Sequence, residues 1–328
     1  MPAVIGASPA AVALGLPPGL GLPVAVPPAP LAHGPTGARA WSDLALVVSL
    51  ALLCAGYARG VHELWHRRGL GAVVPRWRAV AFGLGVAAIL AALTGPVHER
   101  AERSFAGHMA QHMILLVVAG PLLAAGAAGL PLALAAPRRL RRRWARWRGA
   151  RVGTWLRRPG RLAVTAALAH AGALWAWHLP AGYRLAERDE LAHAVEHASF
   201  VGTALLLWSL VWGARRQRLP GPVAVLLLFA TMLAASALGA ALTLASAPIY
   251  PGDVLARYGG DPLADQQRAG LVMWIPMDVV VLAAAVALFL RWLSRLDRAA
   301  PAGRDLLPPA APPVRSTARS SAGRETPR

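Results

Sequence analysis

The sequence predicts an all-α, polytopic integral membrane protein with seven transmembrane helices, its N-terminus outside and its C-terminus cytoplasmic. Three observations carry this expectation: an apolar composition, seven apolar stretches of spanning length, and an arginine distribution that alternates with them. Of the 328 residues 56% are hydrophobic and 15% charged, and the mean hydropathy is +0.46. A water-soluble domain would have to hide that apolar surface in its core, whereas a membrane bundle turns apolar faces toward its neighbours and toward lipid alike.

The apolar stretches run approximately over 41–58, 77–95, 108–128, 162–179, 193–212, 223–245 and 270–290. Each is near the ~20 residues that a hydrocarbon core requires of a helix. The first ends at Arg59. The second starts between Arg76 and Arg78 and closes at Thr94-Gly95-Pro96; the fourth closes at His178-Leu179-Pro180. Together they define a transmembrane domain over 41–295. Residues 1–40 read as a Pro-rich extracytoplasmic tail, with a cleaved or membrane-lying segment as the alternative. Residues 296–328 read as a disordered Arg/Pro-rich cytoplasmic tail.

All 34 basic residues are arginine. The lack of any lysine excludes a retinal-type Schiff base, which needs an amine. Five arginines lie between the first and second stretches, eleven between the third and fourth, three between the fifth and sixth and eight after the seventh, 27 of the 34 in all. The other side holds most of the acids, among them Glu99, Glu102, Glu187, Asp189, Glu190, Asp253, Asp261 and Asp265. Cytoplasmic loops of membrane proteins carry the excess of basic residues, which sets the orientation. The isoelectric point near 11.8 therefore reports topology, and no nucleic-acid partner is expected. The basic stretch 137–161 also contains Trp144, Trp147 and Trp155, the composition of an amphipathic segment on an anionic leaflet or of a solvated basic loop.

With that topology six of the ten histidines, His98, His108, His112, His178, His193 and His197, fall at the extracytoplasmic end, although they come from four different spans or their edges. His108 with His112, and His193 with His197, are four residues apart and share a helix face. Two such pairs on facing helices suit a four-nitrogen site, or a two-metal site bridged by carboxylates. Glu196 is placed for bridging or for fixing an imidazole tautomer. Met109 with Met113, and Met273 with Met277, repeat the four-residue spacing. Thioethers beside imidazoles favour copper, one ion or two, with iron, zinc or haem as alternatives. Asp278, a third of the way into the seventh stretch, needs a metal, a protonated histidine or an interhelical hydrogen bond to offset a cost of at least ~2.5 kcal/mol. His170 lies deeper in the fourth stretch, and His62 and His66 lie at the cytoplasmic end.

Cys54 is the only cysteine, so any metal handling relies on histidine and methionine. No nucleotide-binding loop is present, which argues against an ATP-driven pump. Two other classes stay open. One is a metal- or haem-dependent membrane oxidoreductase with Glu196 and Asp278 supporting two irons. The other is a metal or proton transporter with a relay through Asp278, His170 and His178.

Four segments in order resemble the CtaG-type assembly factors of caa3-class cytochrome c oxidases: Ser104-Phe105-Ala106-Gly107-His108-Met109-Ala110-Gln111-His112-Met113, Trp177-His178-Leu179-Pro180-Ala181-Gly182-Tyr183, His193-Ala194-Val195-Glu196-His197-Ala198-Ser199-Phe200, and Asp265-Gln266-Gln267-Arg268-Ala269-Gly270-Leu271-Val272-Met273-Trp274. The similarity covers about residues 41–295. It implies a non-enzymatic, multi-pass protein of the bacterial cytoplasmic membrane that acts as a copper-binding chaperone in oxidase assembly. Its partners would be an oxidase subunit bearing a copper centre and an extracytoplasmic copper donor, and a homo-oligomer is compatible. The residues that match the family's pattern are His108, His112, His178, His193 and His197, with Met109, Met113, Met273 and Asp265 in the matched segments.

Overall fold

The computed structural model describes residues 36–156, 158–214 and 218–299. The proline-rich start and the arginine-rich end, with the tails expected there, lie outside the described residues. Among the described residues every regular element is helical: α1 (Thr36–Arg68), α2 (Arg76–Leu93), α3 (Gly95–Arg103), α4 (Phe105–Met113), α5 (Gly120–Ala125), α6 (Gly129–Ala135), α7 (Arg138–Gly149), α8 (Arg151–Leu156), α9 (Pro159–His178), α10 (Pro180–Arg188), α11 (Glu190–Trp212), α12 (Gly221–Thr243), α13 (Gly252–Leu255) and α14 (Pro262–Ala299).

Among the described residues six helices are long and apolar enough to cross a membrane: Trp41–Arg68, Arg76–Leu93, Phe105–Ala125, Glu190–Trp212, Gly221–Thr243 and Pro262–Arg298. The segment Gly160–His178 qualifies only together with Pro180–Arg188, and the two are bent by 74°. The bend has a local cause. Pro180 disfavours helical geometry at Leu179, which is extended at φ −67°, ψ 145°. As a result α10 turns away from the axis of α9. Large apolar side chains such as Leu52, Val80, Leu168, Leu226 and Leu271 face outward, as a lipid-solvated bundle requires.

The span from Phe105 to Ala125 is one crossing in three pieces: α4, a π-helical segment over Ile114–Ala119, and α5. Pro121 explains the break, because its ring lacks an amide hydrogen and collides with the carbonyl four residues back in a regular α-helix. A widened turn relieves that conflict. Next to it, a Cβ on Gly120 would lie 2.5 Å from the Ala204 Cβ, so α5 meets α11 at van der Waals limit. The indole of Trp212 fixes the crossing by donating to the Pro121 carbonyl at 3.1 Å.

The main core gathers Phe105, Met109, Met113, Leu174, Phe200, Trp208, Leu228, Met273 and Met277 from α4, α9, α11, α12 and α14. A second cluster joins Tyr57, Phe82 and Ile89 of α1 and α2 to Leu115, Ala119 and Leu123. Helices α12 and α14 approach closely at Gly239 and Gly270; a Cβ on Gly270 would stand 2.3 Å from Thr243 Oγ1 and 2.7 Å from the Gly239 carbonyl oxygen. Small residues let membrane helices pack this way without a hydrophobic driving force. At the far end of the bundle α7 carries exposed arginines around its axis, and Leu140, Trp144 and Trp147 follow one another at helical spacing along one side.

The start of α4 is held by oxygens from two parts of the chain. The hydroxyl of Ser104 accepts from the Gly107 amide at 2.9 Å, and the Asp265 carboxylate reaches across from α14 to accept from the Phe105 amide at 2.7 Å and the Ala106 amide at 3.4 Å. The first turn is thus capped twice, once locally and once from a helix 160 residues away in sequence. Replacing Gly270 by Ala should lower stability by about 1–3 kcal/mol through overpacking. By contrast Gly202→Ala, which meets nothing within 4 Å, should leave stability unchanged or raise it by up to ~1 kcal/mol. Thermal unfolding of the purified protein compares the two. By the same measurement Asp265→Ala should cost ~1–2 kcal/mol, with Asp265→Asn intermediate.

Candidate metal centre

His108 and His112 are the fourth and eighth residues of α4, and His193 and His197 the fourth and eighth of α11. Both helices begin at a capping oxygen, Ser104 for α4 and Asp189, which accepts from the Ala192 amide at 2.7 Å, for α11. Equal offsets from two capped starts bring the two pairs to the same level. Their rings form a near rectangle. Along α4 the His108 and His112 centroids are 4.4 Å apart, and along α11 those of His193 and His197 are 4.3 Å apart. Across the helices His108 faces His193 at 5.5 Å and His112 faces His197 at 5.3 Å.

His108 with His193 make one tier of the rectangle and His112 with His197 the other, and Glu196, fully buried, lies against both. Its Oε1 lies 3.7 Å from His112 Nε2, and its Oε2 lies 4.0 Å from His193 Nε2. Ligand atoms of His108, His193 and Glu196 fall within 4.8 Å of one another, and so do those of His112, Glu196 and His197. Neither carboxylate oxygen of Glu196 has a hydrogen-bond partner among the described residues, nor have His108 Nε2, both ring nitrogens of His112, or His197 Nε2. Buried polar atoms are nearly always satisfied, so such a concentration in one spot calls for an explanation. Imidazole nitrogens and carboxylate oxygens converging within a few ångströms fit a metal ion.

His178, the last residue of α9, completes the inner side, its ring 5.6 Å from that of His112. Its Nδ1 is 2.7 Å from the Leu174 carbonyl oxygen and donates to it. The neutral ring therefore presents its Nε2 lone pair, which lies 3.2 Å from the Met109 sulfur. A soft thioether sulfur and a borderline imidazole nitrogen this close are a fitting pair of donors for a cation that accepts both.

The other expected residues have other places. His98 is 3.2 Å from the Gln111 amide nitrogen and 3.7 Å from Glu102, and Gln111 also donates to the Ala92 carbonyl. Thus His98 packs beside the cluster through Gln111. Met113, Met273 and Met277 are buried in the main core. Asp265 is engaged in capping α4. Asp278 accepts from Ser236 Oγ at 2.7 Å and from the Trp274 indole at 2.8 Å, an interhelical bond between α12 and α14. His170 pairs with Thr203 at 3.2 Å, so Asp278, His170 and His178 each bond to a different partner. At the opposite end of α1, His62 and His66 stack at 6.2 Å.

A cover lies over the tier of His108 and His193. Glu187 of α10, 8% exposed, forms an ion pair with Arg257 and approaches His108 Nδ1 at 3.9 Å. Arg257 also lies over the Tyr258 ring at 4.8 Å, the Tyr183 and Tyr258 hydroxyls hydrogen-bond, and Arg184 and Arg188 reach Asp253. Tyr250 donates to the His178 carbonyl at 2.8 Å. Burial raises the phenols of Tyr250 and Tyr258 above their ordinary range, so both stay neutral donors. No spacing in the sequence singles out Glu187, Arg257 or these tyrosines, because acids and arginines in a polar connection look alike until the chain is folded.

No curated protein and no solved structure matches the chain. The family described as cytochrome c oxidase caa3 assembly factor (Caa3_CtaG) matches residues 55–295. That range takes in α4, α9, α11 and nearly all of α14, hence every histidine of the cluster together with its supporting carboxylates, and the chain belongs to this family.

Proposed function

We propose that the protein assists assembly of a haem–copper cytochrome c oxidase by holding copper in the histidine cluster and passing it to an oxidase subunit that bears a copper centre. The observation that carries this reading is the set of buried, unsatisfied nitrogen and oxygen atoms of His108, His112, Glu196 and His197 gathered within metal-binding distance. Imidazole and carboxylate alone would suit zinc or iron as well. The buried nitrogen–sulfur pair of His178 and Met109 tips the choice to copper. A haem is disfavoured by geometry, since rings only 4.3–5.6 Å apart on packed helices leave no slot for a macrocycle.

Copper is cargo in this scheme, and the chemistry is ligand exchange without turnover of a substrate. An exchange site needs a coordination position that an incoming ligand can reach. His193, whose side chain is 27% exposed while that of Glu196 is fully buried, supplies the accessible edge. An extracytoplasmic donor would load the ion there, and the oxidase subunit would take it from the same side. The arginine-rich end with α7 faces the cytoplasm in this reading, with seven crossings, the bent α9 included, in the bacterial cytoplasmic membrane.

Metal analysis after purification without chelator tests the cargo. The wild-type protein should retain copper, and a variant with His108, His112, His193 and His197 replaced by Ala should retain at least tenfold less at equal membrane abundance. Equal contents would overturn the proposal. Cells carrying that variant should also lose caa3-type oxidase activity. Orientation is testable in a Cys54→Ala background. An impermeant thiol reagent applied to intact cells with an opened outer barrier should label a Glu99→Cys variant and spare a Gly149→Cys variant; the reverse pattern would invert the topology.

A further inference from the structure

The cluster is built as two tiers, and one carboxylate divides itself between them. His108, His193 and Glu196 form one triad and His112, Glu196 and His197 the other; Glu196 is the member they share. Its two oxygens separate accordingly, Oε1 toward His112 and Oε2 toward His193. A carboxylate that serves one ion directs both oxygens, or one, to a single point. A carboxylate with one oxygen toward each of two imidazole sets is arranged as a bridge, and bridged two-metal sites hold their ions ~3.5–4 Å apart. The i to i+4 step that separates the tiers on both helices rises ~6 Å along the axis, room for side chains to converge on two such points, and the two triads are separate groups that meet only at Glu196.

We infer that the centre binds two copper ions at once, one per tier, with Glu196 bridging them. This rests on the copper-holding reading above. The tiers differ in a way that gives them different work. The outer ion has His108 and His193, with Glu187 3.9 Å from His108 as a second carboxylate that can leave Arg257 and bind. The inner ion has His112 and His197, with His178 and Met109 beyond them. Oxygen donors beside an exposed edge make the outer tier the exchanging station. Nitrogen and sulfur donors in the closed interior make the inner tier the retaining one. Two cations at this spacing repel strongly in a medium of low dielectric, and the bridging charge of Glu196 offsets that repulsion. An arriving outer ion would in turn loosen its inner neighbour, so loading from outside assists release.

The full-length protein in lipid nanodiscs, stripped with chelator and titrated with Cu(II), provides the test, with Ag(I) as a redox-inert substitute for Cu(I). Two ions per chain are expected, with a dipole-coupled Cu(II) pair visible as a half-field transition in electron paramagnetic resonance. The Glu196→Gln variant should hold at most one ion and lose the half-field signal. His193→Ala and His197→Ala should each hold one, the first with slower exchange against added chelator. One ion in the wild type with no coupled signal would overturn the two-tier assignment and leave the copper-holding reading standing; no ion at all would overturn both. The wild-type stoichiometry and coupling decide the matter even where a variant fails to fold.

Discussion

The burial of Glu196 among imidazoles is the constraint that the rest of the molecule serves. A carboxylate with zero solvent exposure and neither oxygen hydrogen-bonded among the described residues carries a desolvation penalty of several kcal/mol, and a cation or a proton must offset it. The surrounding rings of His108, His112, His193 and His197 offer lone pairs to the same space. Without a cation the arrangement is an unfavourable knot of acceptors, and a bound cation would give each group a partner. A fold that keeps such a knot must hold it by force from outside, and the helices do so at several points.

The holding begins at the helix starts. Asp265 fixes the first turn of α4 from α14, Asp189 fixes that of α11, and the His pairs follow at equal offsets. The π segment beyond Met113 lets α4 pass Pro121 without tilting away from α11 at Gly120 and Ala204. The Gly239–Gly270 contact sets α14 against α12, which in turn sets where Asp265 can reach. A methyl group added at Gly270 therefore acts on the histidine cluster at a distance, through the cap that Asp265 of α14 places on α4.

Much of this is legible in the sequence. Apolar length gives six of the seven expected crossings outright, because hydrocarbon thickness acts on composition, and the seventh only when α9 and the bent α10 are taken together. The i, i+4 spacing gives the two histidine pairs, each on one helix face, since α-helical geometry is the same everywhere. What composition cannot carry is which helices face each other. His178 joins the cluster and His170 pairs with Thr203 instead, although both sit on α9. Asp278 has the chemistry of a metal ligand and instead joins α12 to α14 through Ser236 and Trp274. Glu187 sits in a charged connection with no spacing signal, and only the 74° bend after His178 swings α10, and Glu187 with it, toward His108.

The cover over the tier of His108 and His193 is held unequally. The pairs of Arg184 and Arg188 with Asp253 are 40–67% exposed on the arginine side and 50% on the aspartate side. Exposed ion pairs contribute at most ~1 kcal/mol each. Separating α10 from α13 at this rim is therefore cheap. Beneath it the Tyr250 hydroxyl bonds the His178 carbonyl in a buried setting, where breaking a hydrogen bond leaves a desolvated acceptor and costs more. The rim is thus the part of the cover that opens at least cost, while the buried contact beneath it holds.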